Sequence, residues 1–182
     1  MKCTYIFNFL NSLSSNNISS KGASTLFDTL IECKSPLISI YLGGNNLDDE
    51  CIKSLGEFLQ YNSTIEFIDI GFTRPLGLFG FDQGSNLFGG ITDSGIEALA
   101  PYLFGNSSLK SLQFLFQNIT SQSIPILKEM IEKSCLQYLN LYRTQIPPEA
   151  IRDFAPLLST PIDQREIPII SKSTKSAAKI DN

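Results

Sequence analysis

Five stretches of this chain carry one spacing of apolar residues, and no other feature narrows the possible folds as far. The clearest is Leu37–Leu59, LISIYLGGNNLDDECIKSLGEFL. Leu37, Ile40 and Leu42 are spaced Leu-x-x-Ile-x-Leu, which places Ile40 and Leu42 on one face of a short strand. Asn45 and Leu47 close a tight loop, and Ile52, Leu55, Phe58 and Leu59 then recur at helical spacing. A strand, a turn and a helix in about 28 residues cannot bury both apolar faces alone, so such a unit needs copies of itself as neighbours.

The copies are present. The first is the weakest: Leu13, Asn16, Ile18, Gly22, Leu26 and Leu30 match, while polar Asn8 and Asn11 stand where its strand should begin. The third starts Ile65, Ile68, Ile70, breaks after Thr73, and resumes at Ile91, Gly95, Leu99 and Leu103. The fourth is Leu109, Leu112, Phe114, Gln117, Ile119, Ser123, Leu127, Ile131, and the fifth is Leu136, Leu139, Leu141, Thr144, Ile146, Ala150, Phe154, Leu158. Starts at 37, 65, 109 and 136 are 28, 44 and 27 apart, so the third copy carries 44 − 28 = 16 additional residues. Ser19, Asp48, Thr92, Thr120 and Pro147 follow the loop apolar residues and mark the expected helix starts, four of them good N-caps. Cys51 fills the small position that Gly22 holds one copy earlier, a packing role. The expected domain is residues 1–158 with an insertion at 74–90, followed by a cap and flexible tail over 159–182.

Composition sets the outer limits. At 42% hydrophobic and 18% charged, the chain can bury a core. Its net charge of −4 argues against nucleic acid, which favours a basic face. The absence of histidine removes Ser-His-Asp and Cys-His catalysis and imidazole-ligated metals. The four cysteines form no CxxC pair and are read as reduced thiols, with no metal or cofactor expected. That fits a reducing, cytoplasmic setting. No stretch reaches the roughly 20 apolar residues of a membrane span. Asn-x-Ser/Thr sequons begin at Asn17, Asn62, Asn106 and Asn118, where turn chemistry accounts for them.

The LxxLxL and NxL spacing, with a leucine every four residues in the helix, resembles the ribonuclease-inhibitor-like class of leucine-rich repeats over about residues 8–158. The resemblance implies an α/β leucine-rich-repeat solenoid of about five units, right-handed, with a concave parallel sheet and convex helices. Proteins of that class include ribonuclease inhibitors, GTPase-activating proteins for Ran, tropomodulins and the sensor arms of NOD-like receptors, which share a fold and not an activity. The family's Asn column is kept at Asn16 and Asn45 and departs at Thr73, Gln117 and Thr144, which predicts looser loops.

Residues between the strand core positions should face the concave side in three rows: Ser39, Phe67, Ser111, Tyr138; then Tyr41, Asp69, Gln113, Asn140; then Gly43, Gly71, Leu115, Tyr142. Aromatic side chains with little charge around them are what protein-binding hot spots look like. Tyr41, Phe67, Asp69, Gln113, Tyr138, Asn140 and Tyr142 are therefore the expected partner-binding face, with lateral packing among them as the plainer alternative. The insertion, with Phe79, Phe81 and Phe88 among glycines and Arg74 at its root, is either a partner-contacting loop or a flap packed on its neighbours. Asp48, Asp49 and Glu50 suit the dipole of a helix start. The expectation is a non-catalytic module that binds a protein partner. A Ran-type GTPase regulator using Arg74, or a fragment of a larger receptor or effector, are the alternatives.

Overall fold

The computed structural model describes residues 12–72 and 88–152. Within them, short strands alternate with helices: α1 (Ser20–Glu32), β1 (Ser39–Tyr41), α2 (Glu50–Tyr61), β2 (Phe67–Asp69), α3 (Asp93–Gly105), β3 (Ser111–Gln113), α4 (Ile124–Lys133), β4 (Tyr138–Asn140) and α5 (Pro148–Ile151). The four strands form one parallel sheet in chain order. Parallel neighbours need a crossover, and α2, α3 and α4 supply it each time.

In each three-residue strand the central residue faces the core. Ile40, Ile68, Leu112 and Leu139 are buried, and they pair in register across the sheet. Behind them lie Leu55, Leu99 and Leu127 from the helices, all buried. The helices pack in sequence, α1 on α2, α2 on α3 and α3 on α4. Phe27 and Phe58 stack across α1 and α2 with ring centroids 5.8 Å apart. Burial of each such ring contributes about 1.5–3 kcal/mol. Cys51 is buried as expected for its small position, and burial pushes its thiol up to about 11. A thiol so protonated is a small apolar side chain rather than a nucleophile.

The loops after the strands are tied together by side-chain amides. Asn45 Nδ2 donates to the carbonyls of Leu13 (2.8 Å) and Leu42 (2.7 Å). Its Oδ1 accepts from the amides of Asn16 (3.0 Å) and Ile18 (2.9 Å). Gln117, expected to give a looser loop, does the same work. Its Nε2 donates to Ile70 O at 2.7 Å and its Oε1 accepts from Ile91 N at 3.1 Å. These are the counterparts of Leu13 and Ile18 in the segment before, so the longer side chain spans the same gap. Thr73 lies outside the described residues, and among those described Thr144 fits the looser expectation: its hydroxyl donates to Leu141 O in its own segment, at 2.9 Å. The same strand-end position turns left-handed at Ser15, Gly44, Phe116 and Arg143, with φ of 58°, 75°, 57° and 55°. Three of the four carry a side chain there, a conformation that costs about 1–2 kcal/mol and is held by the surrounding ladder.

Helix starts depart from expectation in two places. Asp48 caps by accepting from Glu50 N at 2.9 Å, but α2 itself begins at Glu50, and Asp49 is turned towards the next segment. After Thr120 the chain makes a 3₁₀ turn over Ser121–Ser123 before α4. Pro125 explains the tighter turn, since it brings no amide hydrogen to the first α-helical turn. At the helix C-termini, Asn62 Nδ2 donates to Ser35 O (2.8 Å) and Asn106 Nδ2 to Leu59 O (2.8 Å). The Oδ1 atoms of these two asparagines accept from Ile65 N and Leu109 N at 2.7 and 2.8 Å, so both sequon side chains serve the fold.

Candidate functional site

The register of the sheet sets the candidate surface. Ser39, Phe67, Ser111 and Tyr138 line up across the four strands, and so do Tyr41, Asp69, Gln113 and Asn140. The strand burial pattern puts these flanking residues opposite the core-facing central ones, on the sheet face that carries no helix among the described residues.

The surface is less open than the sequence suggested. Tyr41, Phe67, Asp69, Gln113 and Tyr138 are half-buried, Asn140 is buried, and only Tyr142 is exposed. Tyr41 and Phe67 are diagonal neighbours and pack laterally, with ring centroids 4.7 Å apart and planes tilted by 35°. Asn140 is occupied internally. Its Oδ1 accepts from Tyr142 N at 3.0 Å and its Nδ2 donates to Tyr138 Oη at 3.3 Å. Burial raises the Tyr138 phenol, a shift this bond partly opposes. Both ends of the Asn140 amide are therefore occupied within the chain.

Asp69 makes the matching turn one segment pair earlier: its Oδ1 accepts from Gly71 N at 2.9 Å. The carboxylate lies close to the glycines of the third row. A Cβ on Gly43 would sit 2.7 Å from Oδ2, and one on Gly71 would sit 3.2 Å from Oδ1. These glycines make room for the carboxylate. Burial raises the Asp69 carboxyl above its ordinary value, and the Gly71 amide only partly offsets that.

A second cluster at the strand ends was missed by the sequence reading. Phe116 and Tyr142 meet edge to face at 6.1 Å, and the Arg143 guanidinium lies 5.7 Å from the Phe116 ring and 5.6 Å from the Tyr142 ring. Phe116 and Arg143 hold the equivalent left-handed position in their segments. Spacing alone marked that position as a turn, without showing that both side chains reach Tyr142.

Arg74, Phe79 and Phe81 of the insertion lie outside the described residues. Phe88 is half-buried, and the chain re-enters the ladder at once after it. Gly89 N donates to Phe116 O at 2.8 Å and Gly90 N to Leu47 O at 3.2 Å. A Cβ on Gly89 would lie 2.7 Å from Gln117 Cδ, so the glycine there serves close packing against Gln117. Among the described residues, no cluster of three His, Cys, Asp or Glu side chains could hold a metal ion. No described helix is long and apolar enough to cross a membrane.

The described surface thus offers shape, aromatic area and one carboxylate. A family model described as "Leucine Rich repeat" matches residues 12–27, the first and weakest of the copies. No curated protein matches the sequence. Among solved structures, the fold is similar to that of "Leiomodin-1 Actin-Binding Site 2 (ABS2)", with a TM-score of 0.64 and 17% identity, covering 95% of this chain and 90% of that one. The family match covers part of one repeated unit, and the likeness to the solved structure is one of fold.

Proposed function

We propose that the chain is a short right-handed leucine-rich-repeat solenoid of the ribonuclease-inhibitor-like class, about five units long, that binds a protein partner without catalysis. The partner binds the concave sheet face and the inserted loop at 74–90. One observation carries this reading: β1, β2 and β4 of the parallel sheet present Tyr41, Phe67 and Tyr138 on the face opposite the core, with exposed Tyr142 just after β4 and Asp69 as the single charge in three rows. Aromatic area at low charge is the composition of an interface centre.

The similar solved structure is titled as an actin-binding site of leiomodin-1, so actin is the first partner to test. Co-sedimentation with actin filaments, alongside affinity capture from lysate, should recover a partner. Tyr138→Ala with Tyr142→Ala should weaken that binding at least about tenfold, since aromatic anchors each contribute about 1–2 kcal/mol or more. Unchanged binding by the double variant, with its fold intact by circular dichroism, would sink the concave-face reading.

A further inference from the structure

We propose that the surface formed by Tyr41, Phe67 and the Asp69 carboxylate receives the guanidinium of an arginine projecting from the protein partner. This rests on the sheet face being the partner-binding surface and adds the chemistry of its central contact.

Charge complementarity points to a cation. Asp69 is the only charged residue in the three rows, the chain as a whole carries −4, and no cation pairs with Asp69 among the described residues. The carboxylate is anchored and half open. Oδ1 is held by Gly71 N at 2.9 Å, while Oδ2 rests over Gly43 with free acceptor capacity among the described residues. Burial disfavours its charge, so an arriving cation relieves a strain that the free protein carries.

The flanking rings select the kind of cation. Tyr41 pairs in register with Asp69, and Phe67 precedes Asp69 by two residues on the same face. Their rings pack with centroids 4.7 Å apart, and the register places this aromatic pair next to Asp69 on the sheet. A guanidinium is planar, is weakly hydrated, stacks on aromatic faces and donates parallel N–H groups to a carboxylate. An ammonium is a compact, strongly hydrated point charge that uses aromatic faces less well.

The test is an NMR titration of the full chain with the peptide acetyl-Gly-Arg-Gly-Arg-Gly-amide, and with its lysine and citrulline counterparts. The arginine peptide should shift the Tyr41, Gly43, Phe67, Asp69 and Gly71 amides saturably, with a several-fold weaker response to lysine. Citrulline, which keeps the shape and loses the charge, should weaken binding about tenfold or more, as should Asp69→Asn, a near-isosteric change. Equal shifts with citrulline, or undiminished shifts in Asp69→Asn, overturn the proposal. Tighter peptide binding by Arg74→Ala also overturns it, because the chain's own arginine would then be the occupant. If the peptide fails while Tyr138→Ala with Tyr142→Ala still abolishes partner binding, the arginine inference falls and the interaction surface stands. If the peptide binds while that double variant leaves partner binding intact, the surface reading falls.

Discussion

Asp49 holds Thr92 across 43 residues of sequence: the Thr92 hydroxyl donates to Oδ2 at 2.6 Å and the Thr92 amide to Oδ1 at 2.8 Å. Thr92 is also the N-cap of α3, accepting from Ser94 N at 3.2 Å. Asp49 thus fixes the cap of the following helix. Ser20 Oγ does so one segment earlier by accepting from Asp48 N at 2.8 Å, and Asp93 one segment later on Thr120. The ladder stops at Pro147, which has no amide hydrogen to give. Asp49→Ala should cost about 1–3 kcal/mol, the range for hydrogen bonds to a charged group. Asp49→Asn should cost less, because one acceptor oxygen remains. Urea denaturation of both variants checks this, and equal losses would mean that the lost contact is not the cause.

The same ladder predicts an acid response. Burial pushes the Asp93 carboxyl up, but hydrogen bonds from Ser123 and Thr120 outweigh it, leaving the group below its ordinary value of 3.8. A depressed folded pKa contributes stability that is fully present above the ordinary value and is lost as pH falls through the folded one. Asp93→Asn should therefore be less stable than the parent at pH 7, with the gap closing below about pH 4. Asp69 runs the other way. Its raised carboxyl opposes folding above the folded pKa and ceases to do so below 3.8, so Asp69→Asn should gain stability at pH 7 and lose that gain in acid. Urea midpoints between pH 7 and pH 3 for the parent and both variants separate these signs.

Gln117 is a sharper test of the amide ladder, because it is buried and bonds two backbone groups of the preceding segment. Gln117→Ala leaves Ile70 O and Ile91 N without a partner and should cost about 2–4 kcal/mol, the sum expected for two buried groups. Thr144→Ala loses one bond within its own segment and should cost about 1 kcal/mol. Thermal or urea melts of the two variants rank them, and the reverse order would mean that the loop positions are not equivalent.

The short strands were legible because their period of two and the helix period of 3.6 meet in the same residues each time. Ser39–Tyr41, Phe67–Asp69, Ser111–Gln113 and Tyr138–Asn140 fall where the repeated Leu-x-x-Leu-x-Leu spacing places them, and their rows follow from parallel register. Contacts between segments were not legible. Asp49 read as a helix-dipole residue, since nothing local indicates that its carboxylate faces Thr92. Asn140 read as a surface residue because alternation gives the side of a strand and not the depth, and it is buried while bonding the Tyr138 phenol and the Tyr142 amide. Gln117 read as a partial substitute that loosens its loop, because a residue-type column does not register that one more methylene reaches the equivalent carbonyl.

Gly56 gives the last prediction, on the helix side of the fold. It is buried in α2, where the Tyr102 ring of α3 lies against it. A Cβ at position 56 would sit 2.8 Å from Tyr102 Cγ and closer still to Cδ2 and Cε2, and these ring atoms cannot retreat without moving the side chain or the helix. Glycine inside a helix costs about 1 kcal/mol relative to alanine, so its presence here reflects the close approach of α2 and α3. Gly56→Val should therefore destabilise by about 1–3 kcal/mol, as overpacking does. Combining it with Tyr102→Ala should cost less than the sum of the two single changes, because the ring that creates the clash is gone. A double-mutant cycle by urea denaturation measures this coupling. Strict additivity would show that the two helices are not held at this spacing by Gly56 and Tyr102.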